Sequence, residues 1–255
     1  MQNALFVGLS RQMVLGRQLD IIANNLANLN TTGFKADESL FEEYLMPVAR
    51  ENRFRPADRT VDFVNDRGTW RDMRAGAIQH TGNPLDVAIN GDGYIAVQTA
   101  AGQRYTRNGS LQINGQGQLV TTDGSLVLGD SGPIVFQTTD HNVAITPDGR
   151  VTVVEAGATN TESVRGQIRI VSFAAPQLLQ KEGNNNYSAP PGVAPAPTTT
   201  STLIQGSIEK SNVNNVVEVS RLIEISRAYA QIGQMLQNES DLHKNAIQQL
   251  ASVPS

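Results

Sequence analysis

The sequence predicts an α+β fold: N- and C-terminal helices forming a coiled-coil-like domain, with a central all-β domain of short antiparallel strands between them. Three observations predict it. Leu15, Leu19, Ile22, Leu26 and Leu29 step by 4, 3, 4 and 3 residues, and Leu222, Ile225, Tyr229, Ile232 and Leu236 step by 3, 4, 3 and 4. Both are heptad spacing. Between these ends, Asn-Gly and Asp-Gly dipeptides separate short β-type runs, and such dipeptides supply the positive φ that two-residue hairpins need.

Each element follows in order. The N-terminal helix lies within 1–34. It should stop near Asn30, because Thr31 and Thr32 are β-branched and Gly33 can take the left-handed position that closes a helix, with Phe34 packed back on the last turn. Residues 35–74 are charged, lack apolar periodicity, and read as an extended connector. The β domain occupies 75–202. Leu85, Val87 and Ile89 alternate in "PLDVAINGDGYIAVQ", after which either Tyr94 and Ala96 or Ile95 and Val97 can face a core. "GSLQINGQGQLVTTDGSLVLGD", Asp148-Gly149 and "GQIRIVSF" continue the strand-and-turn pattern. "SAPPGVAPAPTTTST" (188–202) carries four prolines and six Ser or Thr residues, the composition of an extended loop. A return connector (203–211) then leads to the C-terminal helix (212–255).

Composition excludes several classes. A net charge of −4 gives no electrostatic case for nucleic acid. Cysteine is absent, which removes disulfides, thiolate metal ligands and thiol chemistry. No apolar run approaches the ~18 residues of a membrane span, and Arg11 and Arg17 interrupt any signal-peptide core. "GDSGPI" (129–134) has the letters of a serine-protease nucleophile loop, but Pro133 stands where that pattern has glycine and His80 lacks its setting, so it reads as a turn. "NGDGYI" (90–95) lacks the first and last carboxylates of an EF-hand loop, since Ala88 and Thr99 occupy those places. His80, His141 and His243 have no zinc-ligand spacing. The residues therefore predict no catalytic site, no metal and no cofactor, and a protein that is not an enzyme.

One stretch stands out. Asn24, Asn25, Asn28 and Asn30 crowd a helical seam, although Asn is a mediocre helix former. On its own the cluster reads either as a solvated helix end or as a polar interface that fixes register.

"LDIIANNLANLNTTGFKAD" resembles the N-terminal signature of the flagellar rod and hook axial proteins, and "SNVNNVVEVSRLIEISRAYAQIGQML" resembles their C-terminal signature. "TGNPLDVAINGDGYIAV" and "RYTRNGSLQINGQGQLVT" are similar to the β domain between them. "NALFVGLSRQMVLGRQLD" and "FEEYL" look most like proximal-rod members, with distal-rod members the runner-up. The resemblance implies a structural subunit of the basal-body rod. Such a subunit polymerises helically through its terminal helices into a torque-transmitting shaft around the export channel. The implied partners are other rod subunits, further copies of itself and, during secretion, the flagellar type III export apparatus, with no nucleic acid and no direct membrane insertion. The implied place is the rod crossing the periplasm, reached without a cleaved signal peptide. The implied assembly interface is Leu15, Leu19, Ile22, Asn24, Asn25, Leu26, Asn28 and Leu29 with Leu222, Ile225, Tyr229, Ile232 and Leu236. The alternatives are a distal-rod or hook axial subunit and, from a different class, a monomeric β-domain binding module with a helical stalk.

Overall fold

The computed structural model describes residues 2–46, 61–155, 162–198 and 200–251. The middle of the expected connector (47–60), Thr199 of the Pro/Thr-rich loop and the chain ends lie outside the described residues. The chain forms two compact units: residues 1–27, 37–71 and 214–255 make one, and residues 28–36 and 72–213 the other.

The first unit holds helix α1 (Gln2–Ala27), strands β1 (Asp37–Met46) and β2 (Val61–Arg71), and helix α2 (Asn215–Ala251). Asn214 caps α2: its Oδ1 accepts the N–H of Val216 at 3.1 Å and of Val217 at 3.4 Å, supplying orphan donors of the first turn. The extended connector expected over 35–74 is, in its described part, a paired antiparallel ladder running from Asp37↔Arg71 to Met46↔Val61. Leu40 pairs with Gly68 and Phe41 with Asp66, so Arg67 is an extra residue that bulges β2. The pairing escapes a periodicity reading because charges at Asp37, Glu38, Glu42, Glu43, Asp62 and Asp66 break any apolar alternation. Backbone hydrogen bonds, which leave no compositional trace, make the ladder.

In the second unit the strands are β3 (Ile78–His80), β4 (Val87–Asn90), β5 (Tyr94–Thr99), β6 (Gly102–Thr106), β7 (Leu111–Ile113), β8 (Leu119–Thr121), β9 (Leu126–Gly129), β10 (Gly132–Pro133), β11 (Asp140–Ile145), β12 (Arg150–Glu155), β13 (Glu162–Gln167), β14 (Ile170–Ser172), β15 (Gln180–Glu182), β16 (Asn186–Ser188), β17 (Ala196–Pro197), β18 (Thr202–Gln205) and β19 (Ser207–Glu209). The main sheet runs β15-β16-β6-β5-β9-β8-β7, with β14 also on β5, β17 on β14 and β10 on β9. A three-stranded sheet, β11-β12-β13, and the pairs β18-β4 and β19-β3 complete it. Every pairing is antiparallel.

β5 resolves the open alternation by burying both faces. Ile95 and Val97 join Val87, Leu119, Val127 and Val151 in one apolar cluster. Tyr94 and Ala96 join Tyr105, Phe173 and Tyr187 in another, where Tyr105 meets Phe173 edge-on at 4.8 Å. A strand covered on both sides has no polar face to alternate. The dipeptides Asp123-Gly124 and Asp148-Gly149 turn hairpins, with φ of +85° and +89° at the glycines, and "GDSGPI" turns β9 into β10. Asn90-Gly91 does something else. β4 pairs with β18 and β5 with β6, so this bend is a corner between sheets.

The return connector expected at 203–211 is a correction. β18 pairs with β4, burying Leu203 opposite Ile89, and β19 pairs with β3. These strands are only three or four residues long and follow a Thr-rich run, so composition hides them. Pairing with strands more than a hundred positions earlier defines them.

Candidate assembly interface

Within the first unit the two seams meet. A Cβ placed on Gly8 would lie 2.7 Å from Leu236, Gly16 faces the Tyr229 ring, and the Asn25 amide reaches Glu218. Each step up α1 is matched by a step down α2, so the helices are antiparallel. Leu15 and Ile22 are buried, while Leu19, Leu26, Leu222, Ile225, Ile232 and Leu236 are half-buried. Tyr229 is 37% exposed even with Gly16 beside it. A groove of about 490 Å³ remains between α1, the start of β1 and α2, lined in part by Leu15, Ile22, Asn25, Glu218 and Ile225.

The asparagines separate. Asn24 is exposed. Asn25 is 2% exposed and clamps one backbone residue from both sides: its Nδ2 donates to the Asp37 carbonyl at 2.9 Å, and its Oδ1 accepts the Asp37 N–H at 3.0 Å. The same Nδ2 approaches Glu218 Oε2 at 3.4 Å. The amide thus serves as a bracket between the helices and the hairpin of its own chain. Arg71 closes the hairpin end beside it, with Nε 3.0 Å from Asp37 Oδ1. Glu218, buried in the first turn of α2, was not legible as part of this site, because a lone Glu near a helix start reads as a dipole partner.

Asn28 and Leu29 fall in the second unit, both half-buried. There the rest of the motif is a strap, and Gly33 and Phe34 depart from the expected helix cap. Gly33 has φ +69° and donates its N–H to the Glu209 carbonyl at 2.8 Å. A Cβ on it would sit 2.5 Å from the Arg107 backbone, so glycine is needed for close approach. Phe34 is buried beneath the Lys181 ammonium, 3.9 Å from its ring centre.

Lys35, fully buried, puts Nζ 2.7 Å from Glu209 Oε1 and donates to the Arg74 carbonyl at 2.7 Å. Arg107, 3% exposed, puts Nε 2.8 Å from Glu209 Oε2 and donates to the carbonyls of Gly93 and Gly91 at 2.9 and 3.0 Å. The Gly76 N–H adds a third hold on the Glu209 carboxylate. Burial alone would push the Glu209 carboxyl up, but Arg107, Lys35 and the Gly76 N–H together hold it below its ordinary value. Burial and the Arg107 charge push Lys35 down, outweighing the pull of Glu209. Burial, with the second cation beside it, sets the direction for Lys35, and the two cations set it for Glu209. Sequence reasoning missed this cluster because its members lie at 35, 107 and 209 and only the sheet brings them together.

Apolar surface remains on the helices. At about 100° per residue, Val219 flanks the α2 seam on one side with Val216 and Ile223 behind it on the back of the helix, and Val217, Met235 and Leu242 flank the seam on the other side. All six are more than a third exposed. Leu9 and Met13 are exposed on α1, at 45% and 70%. α2 also outruns α1 by about three turns, and there Ile247, on the seam's own azimuth, is 65% exposed. No helix among the described residues is long and apolar enough to cross a membrane. Nor does any group of His, Asp or Glu among them stand ready for a metal ion.

Three family models match the chain: flagella basal body rod protein over residues 5–35, the flagellar hook protein FlgE/F/G D1 domain over 88–153, and the flagellar basal body rod FlgEFG protein C-terminal region over 204–249. The chain is similar to the flagellar basal-body rod protein FlgF of Caulobacter vibrioides, 40% identical across 99% of this chain and 100% of the relative. It is also similar to FlgF of Mesorhizobium japonicum, 33% identical across 99% of each. A flagellar basal-body rod protein FlgG, from Bacillus subtilis, is 33% identical across 90% of this chain and 92% of the relative.

Proposed function

Because the chain belongs to the flagellar basal-body rod protein family, we propose that this structural subunit polymerises helically through its terminal helices. The product is the torque-transmitting shaft of the basal body, built around the export channel. The observation that carries this reading is the apolar surface on both flanks of the α2 seam. A helix pair in a monomer buries one seam and leaves the rest polar. Here Val219 on one side, Val216 and Ile223 on the back, and Val217, Met235 and Leu242 on the other side leave apolar surface that one neighbour alone does not cover. Neighbours on two different faces make heterologous contacts, which generate rings or helical filaments. A monomeric module on a helical stalk has no use for either flank.

Similarity across full length to FlgF relatives supports the proximal-rod position, and the FlgG likeness supports a distal-rod position as the second reading. In either, the chain works with other rod subunits and its own copies, travels through the type III export apparatus without a cleaved signal, and stands where the rod crosses the periplasm.

The test is complementation of a strain lacking its FlgF-type rod subunit with the wild-type chain, Leu26→Asp and Ile225→Asp. A charge placed in an apolar contact costs several kcal/mol when unpaired. Basal bodies and swimming should return with the wild type and fail with both variants, while export of the variant chains persists. Normal swimming with both variants would remove the terminal helices from the assembly role.

A further inference from the structure

The chain contains three Asn-Gly dipeptides, at Asn90, Asn108 and Asn114. This pair is the dipeptide most prone to spontaneous deamidation, since glycine carries no Cβ to shield its nitrogen. The following backbone nitrogen attacks the Asn Cγ, ammonia leaves, and a cyclic succinimide forms. Solvent water then opens the ring at either carbonyl, giving aspartate or isoaspartate. The second product routes the main chain through the former side chain and lengthens it by one methylene. A fold suppresses the reaction where it holds the amide or fixes the attacking nitrogen.

Two of the three sites are held. Asn108 is 8% exposed, its Nδ2 donates to Thr122 Oγ1 at 3.2 Å and its Oδ1 accepts the Ser110 N–H at 3.1 Å. The glycine after it is wedged against the Val87 carbonyl, where a Cβ would lie 1.6 Å away. Asn114 Oδ1 accepts the N–H of Gln116 at 3.0 Å and of Gln118 at 2.8 Å, and its Nδ2 donates to Gln118 Oε1 at 3.1 Å. Asn90 differs in its reacting groups. It pairs with Thr202 at the end of β4 and Gly91 lies against Ser201, but Asn90 is exposed, it stands at the corner between β4 and β5, and among the described residues no hydrogen bond engages its side-chain amide or the Gly91 N–H.

The corner has a second property. The carbonyls of Gly91 and Gly93 are the seat of the Arg107 guanidinium, at 3.0 and 2.9 Å. Arg107 in turn pairs with buried Glu209. An extra methylene between positions 90 and 91 displaces the first of these carbonyls while the sheet still holds Asn90 on its inner side.

We infer that Asn90 is a deamidation site of the folded protein, and that its isoaspartyl product loosens the seat of Arg107 and with it the buried charge cluster. Age thus reaches the interior of the β unit through an exposed corner.

The purified full-length chain is incubated in mildly alkaline buffer, folded or in urea, and digested for peptide mapping by mass and retention time. In the folded chain Asn90 should convert first, with Asn108 and Asn114 slower by on the order of tenfold, as expected for sites each held by two or more side-chain hydrogen bonds. In urea the three rates should converge. The aged wild type should then unfold at lower urea than the fresh chain, whereas aged Asn90→Gln should match its fresh counterpart. Conversion at Asn108 or Asn114 as fast as at Asn90 in the folded chain would overturn the site. Conversion at Asn90 with no shift in the urea midpoint would overturn the link to Arg107.

Discussion

Glu209→Gln tests the buried cluster with the smallest change of shape. Gln keeps an oxygen for the Gly76 N–H and the Lys35 ammonium but puts an NH₂ against Arg107 Nε, donor facing donor. Lys35 and Arg107, at 0% and 3% exposure, lose the Glu209 carboxylate that stands 2.7–2.8 Å from them. Removing one partner of a buried ionic set costs about 3–5 kcal/mol. The lower end applies here, because Lys35 retains the Arg74 carbonyl and Arg107 those of Gly91 and Gly93. Against a domain stability of roughly 5–15 kcal/mol, a loss of about 3 kcal/mol lowers Tm by on the order of 10 °C. Urea unfolding followed by near-UV circular dichroism reads the second unit, whose Tyr94, Tyr105, Phe173 and Tyr187 stack edge-on. Trp70, the single tryptophan, belongs to the first unit and reports it separately by fluorescence. The pH profile is a second readout. Glu209 has a depressed folded-state pKa, so its contribution is present above the ordinary glutamate value and is lost as pH falls through the folded one. The variant should therefore lose less stability than the wild type on acidification. Adding Lys35→Met should recover part of the loss by removing a stranded charge. A loss under about 1 kcal/mol with an unchanged acid profile would refute a charge-coupled strap.

Two further substitutions have signs set by the structure. Asn25→Ala strips partners from both backbone groups of Asp37, and at ~1–3 kcal/mol for each buried group left unsatisfied it should destabilise the helix–hairpin unit. Asn24→Ala, on the exposed face, should cost less than Asn25→Ala, since it removes no hold on the Asp37 backbone and Ala is the better helix former. Amide exchange of Asp37 and the α1 end separates the two, and equal protection in both variants would dissolve the bracket. Gly33→Ala forces a Cβ to within 2.5 Å of the Arg107 backbone at φ +69°, so urea stability of the β unit should fall by at least ~1 kcal/mol; an unchanged midpoint would mean that the strap does not need this close approach.

What the chain alone determined is what local chemistry determines. Heptad spacing placed both helices, and Asp123-Gly124 and Asp148-Gly149 located two of the hairpins of the β domain, because period and positive φ are properties of neighbouring residues. The β1–β2 ladder, β18 and β19 stayed hidden because their partners are distant or their faces are not apolar, and pairing is written in backbone groups that every residue shares. The asparagine cluster shows the same division. Composition marked the stretch as unusual, but only the fold separates exposed Asn24 from Asn25 on the Asp37 backbone, and it takes Gly33 and Lys35 to a different unit altogether. Lys35, Arg107 and Glu209 are unremarkable where they stand in the chain. Their role exists only in three dimensions, since one carboxylate can hold two cations in the dry interior only after the sheet has carried all three there.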